Sequence, residues 1–148
     1  MKLVRLTNGE TSKYELEAGD IVLNRVNSLE HVGKVALVGA MSSAAVYESN
    51  MMRLRLNTER VLPEFVFHML ASPGIAKHLK AKAKQAVNQF SVNQGDVGEV
   101  LIPIPGIDVQ KQIVASIGSE LATLRRVHEI AEQAKATISE TLNRIWES

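Results

Sequence analysis

A chain of 148 residues with a net charge of +1 at pH 7 is long enough for one domain with its own hydrophobic core. It contains no cysteine, which excludes a disulfide framework, a thiolate nucleophile and a thiolate zinc site. No apolar signal segment follows Met1 and no long uncharged apolar run occurs, so the expected setting is the cytoplasm, without a membrane.

Pro103, Pro105 and Gly106 punctuate the chain and divide it into residues 1–106 and 107–148. The first part reads as α/β of the α+β kind: a small mixed or antiparallel β domain with short helices. "DIVLNRV", "GKVALVG" and "MMRLRLN" have the β-branched content or alternation of half-buried strands. In the third, Met52, Leu54 and Leu56 share one face and Arg53 and Arg55 the other. Leu62-Pro63 opens a helix carrying Phe65, Val66, Met69 and Leu70 at helical spacing. Ser72-Pro73 caps and starts a second, with Ile75, Leu79, Ala83 and Ala86 as its apolar stripe and Lys77, Lys80 and Lys84 on a neighbouring one. "QAVNQFSVNQGD" reads as a loop, and "EVLIPIPG" as a final strand ended by prolines.

From Val109 onward the pattern is heptadic. Val114, Leu121, His128, Lys135 and Leu142 occupy position a, and Ile117, Leu124, Ala131, Ile138 and Ile145 position d. Eight of these ten positions are apolar, which marks a coiled-coil seam rather than a helix lying on its own sheet. Continued to Glu147, such a helix is about 58 Å long, more than a small core can cover. His128 and Lys135 interrupt the seam and would set its register at some cost in stability.

Catalytic chemistry has little to rest on. His31, His68, His78 and His128 occur singly, no His-x-x-x-His or glycine-rich phosphate loop is present, and Glu15 with Glu17 reads as a solvated face. Polar recognition fits better. No acidic residue occurs from Phe65 to Gly95, where Lys77, Lys80, Lys82 and Lys84 fall. Arg and Lys suit phosphate and guanine, and Asn and Gln suit adenine edges. Two loops concentrate these types: Arg25, Asn27, Ser28 and Lys34 form one candidate set for double-stranded DNA, and Lys77, Lys80, Lys84, Gln85, Asn88 and Gln89 the other. Asn27 and Ser28 also have the chemistry to brace their own loop.

"YELEAGDIVLNRVNSLEHVGKVALV", "ESNMMRLRLN", "PEFVFHMLAS", "QAVNQFSVNQGDVGEVLIPIP" and "VQKQIVASI" resemble, in that order, the DNA-specificity subunit of type I restriction-modification systems. The resemblance covers Tyr14 to the C-terminus. It implies a target-recognition domain reading half of a split DNA site, followed by a helix that forms an antiparallel coiled coil and docks methyltransferase subunits. It also implies a non-catalytic chain without cofactor or metal: S-adenosylmethionine and ATP would belong to the methyltransferase and restriction subunits. The chain departs from the family pattern in having one recognition domain and one helix, so two copies, or a second specificity fragment, would pair through the helix. Only about a dozen residues precede the "YELEAGD" segment, where the family has several further segments, the pattern of a truncated or partial subunit. The rival reading is a coiled-coil adaptor or truncated regulator that binds restriction-modification subunits without touching DNA. Salt-dependent DNA binding separates the two.

Overall fold

The computed structural model describes residues 13–146, and the chain divides into two units that meet between Gln110 and Lys111. In the first unit, β1 (Ile21–Asn24) lies between β3 (Val35–Leu37) and β4 (Met51–Leu54), antiparallel to both. Leu23 stands opposite Val35 and Met52, and Ile21 opposite Leu37 and Leu54. The two-residue period of the strand therefore buries Ile21 and Leu23 together. Leu23, Val32, Leu79 and Val92 form a buried cluster, and Met52 and Leu54 pack against it, on the face that their alternation predicts.

"DIVLNRV" does not make one strand. The N–H groups of Arg25 and Val26 both donate to the Asn50 carbonyl, at 3.0 and 3.1 Å, and the chain leaves the first sheet there. β2 (Val26–Asn27) instead joins a second antiparallel sheet, in the order β2-β6-β5, with β5 at Lys84–Ala86 and β6 at Gln89–Ser91. The expected loop "QAVNQFSVNQGD" is thus largely a hairpin. It runs on into a short helix α3 (Gln94–Gly98), opened by a reciprocal capping box between Asn93 and Asp96.

α1 (Pro63–Ala71) and α2 (Pro73–Lys82) each begin with proline, as expected. α1 buries Phe65, Val66 and Leu70, and α2 buries Leu79. Ser72 sits between them but makes no side-chain cap; its N–H closes α1 on the Met69 carbonyl. Two further expectations are corrected. α2 stops where Ala83 turns extended, so Lys84 and Ala86 lie on β5, exposed, and not on the helix. "EVLIPIPG" forms no strand, because Pro103 and Pro105 have no N–H to give a ladder, and Leu101 is left 90 % exposed.

α4 runs over Ile107–Trp146, across the boundary between the units. In the first unit its opening turn carries Gln110, fully buried. The Gln110 Oε1 accepts from the Leu62 N–H at 2.9 Å, and Nε2 donates to the carbonyls of Pro105 at 2.8 Å and Arg60 at 3.2 Å. One amide thus fastens the helix start to the entry of α1. In the second unit Leu121, Leu124, His128, Ala131, Lys135, Ile138, Leu142 and Ile145 are exposed, and Val114 and Ile117 half-buried. Val127 and Ala134 stand three residues after Leu124 and Ala131 and four before Ala131 and Ile138, so the apolar stripe continues past His128 and Lys135. Lys135 itself pairs with Glu132 of the same helix at 2.7 Å. Glu147 falls outside the described residues.

Candidate nucleic-acid interface

The segment from Asn24 to Lys34 is a braced turn. Ser28 O accepts from the N–H groups of His31 and Val32, Asn24 O from Gly33 and Lys34 O from Asn24, all at 2.8–3.0 Å. Val32 plugs into the buried cluster. Gly33 has φ +78°, and a Cβ there would come within 3.2 Å of the Leu79 Cβ, so both the backbone and the close approach of α2 require glycine. Asn27 Oδ1 accepts from the Ser28 N–H at 2.8 Å, and Ser28 Oγ lies 3.0 Å from His31 Nδ1. Asn27 and Ser28 are therefore engaged inside the turn, while the side chains of Arg25 and Lys34 are exposed.

The second sheet joins this turn to the other candidate loop. Asn27 and Gln85 flank Phe90 from either side, and Val26 and Lys84 flank Ser91. The Val92 N–H donates to the Arg25 carbonyl at 2.9 Å, which fixes Arg25 at the end of β6. Because neighbours across a sheet share a face, Lys84 and Gln89 point to one side, and Asn27 and Gln85 to the side of Phe90, which packs on the core. Asn88 lies in the turn at the far end. Lys84, Gln85, Asn88 and Gln89 are all exposed. Lys77 and Lys80 remain on α2, Lys77 exposed and Lys80 half-buried. Lys82 lies 2.7 Å from Glu99, and that carboxylate raises the pKa of its ammonium.

Arg25 also lines an open cleft of about 680 Å³. Lys13 and Arg53 line it as well, with Tyr14 and Tyr47, the only tyrosines of the chain. The rings meet edge to face at 5.4 Å, with Lys13 5.3 Å from the Tyr14 centroid and Arg53 5.6 Å from that of Tyr47. Arg53 also donates to the Glu15 carbonyl. Three cations and two rings converge on one opening, a lining suited to a polyanion that carries planar groups. Apart from Arg25, this lining was not among the sequence candidates. An isolated bridge between Glu15 and Val46 brings its tyrosines together, and no spacing rule marks such a bridge.

Arg55, two residues further along, is held differently. Asp20, 2 % exposed, takes a bidentate pair from Arg55 Nε and Nη2 at 2.8 Å each, and Glu17 accepts from Nη1 at 2.7 Å. The guanidinium, aided by the Glu17 N–H, holds the Asp20 carboxyl below the ordinary carboxylate range despite its burial, and the carboxylates raise the pKa of Arg55 further. Gly19 before it has φ +91°. The Gly-Asp of the strand motif is therefore a structural clamp.

Residues 2–138 match the family described as the type I restriction modification DNA specificity domain. A Methanocaldococcus jannaschii protein described as the MjaX specificity subunit of a type I restriction enzyme is 32% identical over 135 residues, which cover 85% of this chain and 30% of the relative. The crystal structure of the HsdS subunit from Thermoanaerobacter tengcongensis matches with a TM-score of 0.65 at 25% identity, over 81% of this chain and 30% of that one. The chain thus spans about 30% of the length of each of these relatives. The expected fold class, small antiparallel sheets with short helices and a long C-terminal helix, is the one found. On the extent of that match and the fold it shares with a solved subunit, this chain belongs to the type I restriction-modification DNA specificity domain family.

Proposed function

We propose that this chain is the DNA-reading part of a type I specificity subunit, directing a partner methyltransferase, and through it a restriction subunit, to a base sequence in double-stranded DNA. The observation that carries the reading is the β2-β6-β5 sheet, which joins two distant segments and leaves Lys84 and Gln89 exposed on one face, Gln85 exposed on the other, Asn88 at the turn and Arg25 exposed at the far end of β6. These are the side chains that pair with phosphates, guanine and adenine. The apolar stripe of α4 would pair with a second copy of the helix, or with that of another specificity fragment, and present a docking face to the methyltransferase. The chain supplies no reacting group and needs no cofactor or metal. Methyl transfer from S-adenosylmethionine and ATP-driven cleavage belong to the partner subunits, in the cytoplasm. Among the described residues no helix is long and apolar enough to cross a membrane.

The test uses the chain assembled with a methyltransferase. Affinity for duplex DNA should fall steeply with salt, and methylation should be confined to a defined sequence. If omitting the chain leaves DNA affinity and methylation pattern unchanged while the chain still binds the methyltransferase, the adaptor reading replaces this one.

A further inference from the structure

The connection between β5 and β6 is made of unsuitable material. Ala86 pairs with Gln89, so Val87 and Asn88 alone form the turn, and both have positive φ, 26° and 67°. A two-residue turn with two left-handed residues suits the twist of a hairpin, and asparagine tolerates that region through its short polar side chain. A β-branched residue does not, and hairpins ordinarily place Gly, Asn or Asp there. Burial offsets none of this cost, since Val87 is 95 % exposed. Within the folded chain an apolar, strained, solvent-facing valine stabilises nothing. Strain of this kind clusters at active sites, ligand clamps and switch regions.

We propose that Val87 is a specificity-determining residue: the β5-β6 hairpin enters the DNA major groove tip first, and the Val87 side chain packs against the methyl group of a thymine. The inference rests on the DNA-reading assignment above and adds the feature that the tip reads. The major groove admits a two-stranded ribbon, and the thymine methyl is the apolar group displayed among its donors and acceptors. The hairpin mirrors that surface. Val87 stands among the exposed amides of Gln85, Asn88 and Gln89, with Lys84 placed for a phosphate. A protein partner would instead be expected to meet a broader apolar patch, and the residues beside Val87 do not provide one.

The experiment selects sites from a library of randomised duplexes with the chain assembled on its methyltransferase, then replaces each thymine of the selected site by deoxyuridine, which removes only the methyl group. For the wild-type chain, one such replacement should weaken binding about fourfold, the worth of one buried methyl. Val87→Gly should lose the distinction between thymine and uracil at that position while its melting temperature rises, because glycine relieves the turn. Val87→Ile should keep the distinction. The inference is overturned if no deoxyuridine replacement matters, if Val87→Gly discriminates as the wild type does, or if that variant weakens assembly with the methyltransferase and leaves the discrimination intact. Failure of the wild-type assembly to select any sequence would overturn the DNA-reading assignment itself, and this inference with it.

Discussion

The two three-stranded sheets treat their polar residues in opposite ways. Around β3-β1-β4, Asp20 is closed by Arg55, and Arg53 is bonded to the Glu15 carbonyl and lies over the Tyr47 ring. On β5 and β6, Lys84, Gln85 and Gln89 face solvent, and the turn between them is strained. Both sheets are antiparallel, short and anchored on the same buried cluster through Leu23 and Phe90. Polar content alone therefore does not mark a recognition surface. What distinguishes the β5-β6 hairpin is that Lys84, Gln85 and Gln89 are exposed, whereas Asp20, Arg53 and Arg55 beside the first sheet find partners within the fold.

Cutting a closed network should cost stability in proportion to the groups left without partners. The largest effect is expected at Gln110, where Gln110→Ala would orphan the Leu62 N–H and remove a donor from two carbonyls in a fully buried site. Urea unfolding should show a loss of about 3 kcal/mol. A loss below about 1 kcal/mol would mean that the amide is not what fastens the start of α4.

Asp20→Ala comes next, at about 2 kcal/mol, because the charge-assisted pair is buried on the aspartate side but its Arg55 partner is 43% exposed and screened by water. Its pH dependence has a definite sign. The folded-state pKa of Asp20 lies below its ordinary value, chiefly through the hydrogen bonds from Arg55, so the stabilisation is fully present above the ordinary carboxylate range and is lost as pH falls through the folded-state value. The variant should accordingly show a flatter loss of stability below about pH 4 than the wild type. Equal slopes for the two proteins would show that Asp20 does not drive acid unfolding.

The closed sheet was largely legible in the sequence and the open one was not. Alternation in "MMRLRLN" placed Met52 and Leu54 on the core, and Pro63 and Pro73 marked both helix starts, because these signals are local. The break at Arg25 depends on the carbonyl of Asn50, and no rule of spacing reaches that far. The β5-β6 hairpin lacks an Asn-Gly turn and is rich in amides, so it read as a loop. "EVLIPIPG" erred the other way: its apolar composition suggested a strand, although its prolines already argued against a ladder. Of the candidate contacts, Asn27 and Ser28 carried both readings in the sequence, and their hydrogen bonds place them inside the turn.

If the comparison between the sheets is sound, a substitution on the open side should leave stability nearly alone. Arg25→Ala is expected to change unfolding free energy by no more than about 0.5 kcal/mol, since its backbone, and not its exposed side chain, makes the described bonds to Asn50 and Val92. Binding of the assembled complex to its preferred site should weaken by about 1.5 kcal/mol, with a loss of discrimination at one base position. A variant that unfolds easily yet still methylates the same sequence would place Arg25 with the closed network instead.

The smallest effect separates two lysines of one helix. Lys77 is exposed on α2, and among the described residues no carboxylate pairs with it, whereas Lys82 lies against Glu99. A lysine that contacts a phosphate releases a counterion, so Lys77→Ala should weaken binding to all duplexes alike and lower the slope of log affinity against log salt by about one unit. Lys82→Ala should lower it by less, because the ammonium already has an anion beside it in the free protein and gains less from the phosphate. Both effects belong to the sequence-independent part of binding, and neither variant should alter the methylated sequence. Equal slopes for the two variants would mean that the Glu99 pair opens on DNA, and that the contrast between closed and open polar groups does not extend to α2.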